Sequence, residues 1–412
     1  MTPQSLLRAL FDKAVEVADP MRSLAAHLPP KPAGRVVVVG AGKASARMAE
    51  AVEAVWGPCE GLVITRYGYG RPCQGIKIVQ AAHPVPDAAG AAATAEMLVL
   101  LGGLGEGDFV LALISGGASA LLVAPVDGVS LAEKQAVNAA LLACGAPIAQ
   151  MNTVRKHLSR VKGGQLAAAA YPARVLALMI SDVPGDDMAF IGSGPTVGDA
   201  STPADALAIL EQWGAKVPTS ALAALGKPTG VIAPHDHRLS HITNRIYAAP
   251  AQSLAAAEAV AKAQGFRVVM LGDAREGEAR DVAAQMAQTA LQARSTTPVL
   301  LLSGGELTVT KRGDGIGGPN AEFCLALALA LNGAAGIHAI ACDTDGVDGA
   351  AEVAGAVIGP DTLQKARALG VDPALALSRN DAHSFFAAIG DQVVTGPTLT
   401  NVNDFRAILV LP

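Results

Sequence analysis

Aromatic residues make up only 3% of this 412-residue chain, although 51% of it is hydrophobic. A core so poor in rings must rest on Ala, Val and Leu, which suits helices stacked on buried parallel strands. No apolar run approaches the roughly 18 residues that a membrane span needs, so no membrane is expected as a partner. Basic tracts interleaved with aromatics are missing too, and the formal charge is −5, which argues against nucleic acid. The five cysteines, Cys59, Cys73, Cys144, Cys324 and Cys342, form no C-x-x-C pair. They read as reduced thiols in a cytoplasmic protein. Arg8, Asp12, Lys13 and Glu16 leave one apolar face on the first segment, the pattern of an amphipathic helix rather than a signal peptide.

What the chain has instead is a set of apolar runs that break at glycine. VVVVGAGKAS stops at Gly40-Ala41-Gly42-Lys43, LALISGGASALL at Ser115-Gly116-Gly117, and LLLSGGELTV at Ser303-Gly304-Gly305. Glycine where a buried strand ends lets backbone N–H groups approach an anion, so three cradles for phosphate or carboxylate are expected. Strand-like and helix-like runs alternate: strands at 35–39, 62–65, 76–81, 109–114 and 175–180, helices at 43–56, 88–101 and across 130–170. That βαβ rhythm predicts an α/β fold with a doubly wound parallel sheet and ligands at the carboxyl ends of its strands. Gly, Pro and polar clusters between 214 and 241 suggest a junction, giving domains 1–238 and 239–412. Beyond it come strands at 242–248, 266–271, 299–302 and 337–342, helices at 251–264, 277–293 and 321–331, and a hairpin through 311–315.

Gly40-Ala41-Gly42-Lys43-Ala44-Ser45 resembles a dinucleotide fingerprint, yet its third glycine is Ser45 and the next strand ends at Thr65-Arg66 without an acidic residue for a ribose. Lys43 at a helix N-terminus opposes the helix dipole by roughly 0.3–1 kcal/mol, which makes sense if a phosphate lies between them; a solvated lysine is the plain alternative. P-loop, protein-kinase and G-x-S-x-G signatures are absent. Asn152-Thr153-Val154-Arg155-Lys156-His157, with Arg160 and Lys162, is the densest basic segment. Arg155 there could grip a carboxylate bidentately and Lys162 act as a point charge, or the segment could be a solvated helix face. Asp182, Asp186 and Asp187 follow one strand, and Asp343, Asp345 and Asp348 another. Carboxylates on such turns suit Mg²⁺, which takes one or two of them plus substrate phosphates, or they cap the turns. His83, between strand and prolines, reads as a substrate contact or a structural residue.

Taken together, VGAGKAS, HPVPD, ISGGASALL, NTVRKHLSRVKGG, SDVPGDD, GSGPT, LSGGELTV and DTDGVDGAAEVAGA resemble, in order and over nearly the whole length, the glycerate 2-kinase family, whose members often carry a hydroxypyruvate reductase label. The resemblance implies a Rossmann-like N-terminal domain, a smaller α/β C-terminal domain of MOFRL type, and an active site in the cleft between them. It implies transfer of the γ-phosphoryl group of ATP to the 2-hydroxyl of D-glycerate, with Mg²⁺ as cofactor. Lys43 matches the family's proposed catalytic lysine. The family's catalytic arginine has no counterpart, since Pro319 stands in its place in Gly317-Gly318-Pro319-Asn320-Ala321-Glu322; Arg312 and Arg155 are the candidate replacements. On this reading Lys43, Arg155 and Asp182 are catalytic. Ser115, Gly116, Gly117, Ser119, Lys156 and Lys162 would bind glycerate. Gly40, Gly42, Ser303, Gly304, Gly305, Glu306 and Asn320 would face the nucleotide, and Asp186 and Asp345 the metal. A homodimer is compatible with it. An NAD(P)H-dependent reductase and a non-catalytic anion-binding protein stay as alternatives.

Overall fold

The first four strands and their helices lie where alternating apolar runs predict them. In the computed structural model, which describes residues 2–412, β1 (Val36–Ala41), β2 (Glu60–Arg66), β3 (Ile76–Ala81), β4 (Phe109–Ile114), β5 (Arg174–Ile180) and β6 (Ile242–Ala248) form one six-stranded sheet of order β3-β2-β1-β4-β5-β6. The pairings from β3 through β5 are all parallel. β1 and β4 are buried at every position, as central strands covered on both faces must be. Order reverses between β2-β1 and β4, so β1 and β4 open their carboxyl ends side by side, the usual ligand crevice of an open α/β sheet.

The Ala/Leu-rich stretch read as helical across 130–170 is three helices, Leu131–Ala143, Ile148–His157 and Gln165–Ala169. Gly145 (φ +73°) ends the first by adopting the left-handed conformation and Gly164 (φ +79°) caps the start of the third, while the second stops at Leu158 without such a residue. Ser130 opens the first of them with a capping box to Glu133.

The remaining strands are β7 (Arg267–Met270), β8 (Gly277–Glu278), β9 (Val299–Ser303), β10 (Leu307–Thr308), β11 (Ile337–Asp343), β12 (Gly355–Ile358), β13 (Gln392–Val393) and β14 (Asp404–Val410). Six of them make a second, mixed sheet, β13-β12-β11-β14-β9-β7, antiparallel except for β9 with β7. The expected hairpin at 311–315 does not form. β10 pairs in parallel with β8, and Asn380 Oδ1 takes the backbone N–H of Arg312 (2.7 Å) and Gly313 (3.0 Å). Donors held by a side chain cannot join a ladder.

Packing divides the chain into two compact units: Ser23–Tyr247, and the residues up to Arg22 together with Ala248–Pro412. The boundary therefore differs from the expected 238/239, and the N-terminal helix Pro3–Ala18 belongs with the second sheet. Leu6, Leu7, Leu10, Phe11 and Ala14 form one cluster with Leu254, Leu300, Ile340 and Phe405, and Ser253 Oγ donates to the Ala14 carbonyl at 2.8 Å. An amphipathic stripe in the sequence states that a helix must be covered, not by which sheet.

Candidate functional site

At the end of β1 the glycines answer to sterics. A Cβ at Gly40 would lie 2.3 Å from the Leu113 carbonyl oxygen, and one at Gly42 (φ +142°) 2.0 Å from Ser115 Oγ. The N–H groups that a pyrophosphate would need are engaged within the protein: Gly42 donates to Ile64 (3.1 Å), Lys43 to Gly116 (2.8 Å) and Ser45 to Gly42 (3.2 Å), and Ala44 to Ser115 Oγ (3.1 Å). The anion cradle expected at Gly40 and Gly42 is thus filled by the neighbouring Ser115-Gly116 loop. Ser45 Oγ, at the position of the missing third glycine, is buried against the Leu113 carbonyl at 3.0 Å.

The same zipper brings Lys43 to the second loop. A methyl group at Gly117 (φ +81°) would sit 3.2 Å from Lys43 Cγ and 3.1 Å from the His83 ring, so the lysine stem and the imidazole meet over that glycine. Beside them opens a cavity of about 580 Å³, lined among others by His83, Gly117, Ser119, Asn138, Leu142 and Arg155. Ser119 Oγ lies 2.8 Å from Ser193 Oγ, Ser193 donates to Asn152 Oδ1 at 3.1 Å, and Arg155 Nη1 reaches the same oxygen at 3.5 Å. Arg155 Nε donates to Asn138 Oδ1 at 3.2 Å, whereas its Nη2 has no protein acceptor among the described residues. Burial holds that guanidinium below its ordinary value. One hydroxyl, one open guanidinium edge and apolar walls suit a small carboxylate.

Two predicted substrate ligands point elsewhere. Lys156 Nζ pairs with Asp199 at 2.5 Å and is almost fully buried; burial pushes the Asp199 carboxyl up, but Lys156 and Ser201 together hold it below its usual value. Lys162 Nζ donates to the carbonyls of Ser119 (2.8 Å) and Leu122 (3.3 Å). Neither ammonium faces the cavity. Asn138, Asn152 and Ser193, to which no role was assigned, connect the site; the GSGPT string that holds Ser193 was a signal for it.

Past β5, Ser181 Oγ accepts from the Val183 N–H at 3.3 Å, and the chain turns through Gly185 (φ +78°) and Asp186 (φ +56°). One Asp186 carboxylate oxygen, Oδ1, is shielded from solvent without a hydrogen-bond partner, and Asp182 lies four residues before it. An orphaned carboxylate oxygen fits a cation. Among the described residues no three or more His, Cys, Asp or Glu side chains converge into a metal cage.

In the second unit the Gly304 and Gly305 carbonyl oxygens are taken up by Arg406, which is fully buried: its Nη2 donates to Gly304 and, at 3.1 Å, to Gly305. Gly305 (φ +98°) leaves room for the Arg275 backbone, 2.2 Å from where a Cβ would be. Glu306 is exposed. Asn320 Nδ2 donates to Asp404 Oδ1 at 2.7 Å, and Asp348 accepts the Asn320 and Ala321 N–H groups (3.0 and 2.8 Å) at the start of helix Pro319–Leu331. That helix end already holds an anion, its own. Asp345 is buried, with Oδ1 on the Val347 N–H at 2.8 Å, which builds the turn. Ser303 Oγ and Asn320 Oδ1 remain buried without partners.

Hydroxyls, a lysine and an arginine gathered past parallel strands suit a phosphotransferase. Comparison with known proteins agrees. A family profile described as a domain of unknown function (DUF4147) matches residues 6–226, and the MOFRL family matches 299–404. A D-glycerate 2-kinase of Thermotoga maritima is 38% identical, covering 99% of both chains. A protein of Agrobacterium vitis bearing the hydroxypyruvate reductase name is 51% identical over 100% of this chain and 95% of its own. The crystal structure of a Thermotoga maritima glycerate kinase superposes with a TM-score of 0.87 at 37% identity, over 99% of this chain and 100% of that one. The chain belongs to the glycerate 2-kinase family built of DUF4147 and MOFRL domains.

Proposed function

We propose that this chain transfers the γ-phosphoryl group of ATP to the 2-hydroxyl of D-glycerate, giving 2-phosphoglycerate and ADP. The observation that carries it is the convergence of the Lys43 stem and the His83 ring over Gly117, beside the cavity that Ser119 and Arg155 line. Phosphoryl transfer asks mainly for positioning and charge neutralisation. Arg155 Nη2 and Ser119 Oγ hold the glycerate carboxylate, which leaves the 2-hydroxyl toward Lys43. The hydroxyl oxygen bonds to the γ-phosphorus as the bond to the β-phosphate oxygen breaks, Asp182 takes the hydroxyl proton, and Lys43 neutralises charge on the transferring oxygens. Asp186, whose buried Oδ1 lacks a partner, would hold Mg²⁺, which would supply further charge neutralisation. Ser303, Gly304, Gly305, Glu306 and Asn320 are the residues of the second unit proposed toward the nucleotide.

The relatives named hydroxypyruvate reductase keep hydride transfer in view, but the first glycine loop of this chain has its N–H groups engaged internally. The deciding assay incubates purified protein with D-glycerate, Mg²⁺ and ATP and, in parallel, with hydroxypyruvate and NADH or NADPH. Metal-dependent 2-phosphoglycerate is expected. Oxidation of NAD(P)H without a phosphorylated product would sink the proposal.

A further inference from the structure

Two buried lysines stand behind the polar ends of the cavity. Lys134 and Lys162 are 2% and 1% exposed. Lys134 Nζ donates to the carbonyls of Arg155 at 2.9 Å and Leu158 at 3.1 Å; Lys162 Nζ donates to those of Ser119 at 2.8 Å and Leu122 at 3.3 Å. The two clamps share one form. Each ammonium bridges carbonyls three residues apart in the last turn of a helix, Ile148–His157 or Ala118–Leu121, where acceptors lack intrahelical donors and the dipole favours a cation. In both, the first carbonyl belongs to the residue whose side chain lines the cavity.

Holding a helix end does not by itself call for an ammonium. A buried charge is costly unless paired, and neither lysine is paired with a carboxylate among the described residues. Burial pushes Lys134 down to about 7, with the Arg155 charge adding to it; burial also lowers Lys162 well below its ordinary value, and Lys134 and Arg155 lower it further. Both amines can keep donating to their carbonyls with little charge of their own, which leaves Arg155, with only neutral acceptors, as the cation that lines the cavity and favours an anion inside.

We propose that Lys134 and Lys162 are positioning residues for carboxylate recognition, holding the Arg155 and Ser119 backbones so that guanidinium and hydroxyl can share one anion. This rests on the glycerate reading of the cavity. Lys162 then acts through Ser119 rather than on the substrate, and Lys134 is a part of the site that its sequence context does not announce.

The test compares Lys134→Met and Lys162→Met with Val137→Ala, a buried position on the Lys134 helix that lowers stability without touching either clamp. In both lysine variants KM for D-glycerate should rise about tenfold or more, the loss of a charge-assisted hydrogen bond, while kcat and KM for ATP move less than about threefold. Val137→Ala should leave KM for glycerate unchanged. Unaltered KM in both lysine variants, or an equal rise in Val137→Ala, would overturn the clamp. Should the methionine variants not fold, hydrogen exchange in the wild type decides: D-glycerate should slow the amides of 119–122 and 155–158 together, and unchanged exchange in both segments overturns the inference. A wild type that binds D-glycerate and shows this protection but makes no 2-phosphoglycerate would refute the kinase reading and leave the clamp standing.

Discussion

Lys43 shows how one side chain depends on its neighbours' backbones. Its N–H is tied to the Gly116 carbonyl, its carbonyl accepts from Thr65 Oγ1 at 3.3 Å, and its stem runs over Gly117, where any larger residue would displace it. In the proposed reaction, fixing the backbone and stem in this way would lower the entropy cost of bringing the ammonium to a phosphoryl group. Lys43→Met should lower kcat by about 10²–10³, the scale for removing one charge-stabilising group, with circular dichroism and melting temperature close to wild type. A variant of near-normal rate removes Lys43 from the chemistry. Gly42 is held to a different requirement: with Ser115 Oγ 2.0 Å from a Cβ position, only glycine lets β1 and β4 end side by side.

At the level of elements, charge pairing fastens loops to helices around the first sheet. Glu50, on helix Ser45–Trp56, receives Arg71 Nε and Nη2 on its two oxygens at 2.8 and 2.9 Å and Arg47 Nη1 at 2.8 Å. The Arg71 hydrogen bonds hold the Glu50 carboxyl below its ordinary value of 4.5; burial opposes them and Arg47 assists. A carboxyl depressed in the folded state contributes stability that is present above the unfolded value and lost as pH falls through the folded one. Wild type should therefore melt above Glu50→Gln at pH 6, and the gap should close as pH drops below 4.5. A gap that persists at acid pH would show that the pairing energy does not come from ionisation. The three-helix segment 131–169 was legible as helical from its Ala/Leu content, but the stop at Gly145 and the restart after Gly164 use glycines at positive φ, and Lys134 looks like any solvated helix lysine until the fold buries it.

Over the whole molecule, the chain returns to its own beginning: the Pro3–Ala18 helix completes the unit formed by Ala248–Pro412. Phe11 is fully buried, 5.9 Å between ring centroids from Phe405 on β14, and Thr400 Oγ1 donates to the Ala18 carbonyl at 2.9 Å. Phe11→Ala should cost about 3–5 kcal/mol, as large-to-small changes at buried aromatics do. Native-state hydrogen exchange would find the loss in β9, β11 and β14 while β1, β4 and β5 keep their protection. Equal loss in both sheets would contradict the division into units.

Local pattern sufficed for the parallel strands, because a strand buried on both faces is an unbroken apolar run and its helix follows with a 3.6-residue stripe. It also sufficed for the family, since the motif order spans the chain. None of β12, β13 and β14 stood out in the same way. β13 has only two residues, and the polar residues at the start of β14, Asp404 and Arg406, are buried against one another at 3.0 Å, a pairing invisible before the strands come together. The same holds for the site. Which glycines make room for a neighbouring backbone, which lysines face solvent or carbonyls, and which serines complete the chain from Arg155 to Ser119 depend on residues brought close from distant positions. Sequence alone determined the elements and the chemical inventory through short-range periodicity and residue type. Only tertiary structure decided which N–H groups, carboxylates and ammonium groups were left for a ligand, because that depends on what every neighbour has already bonded.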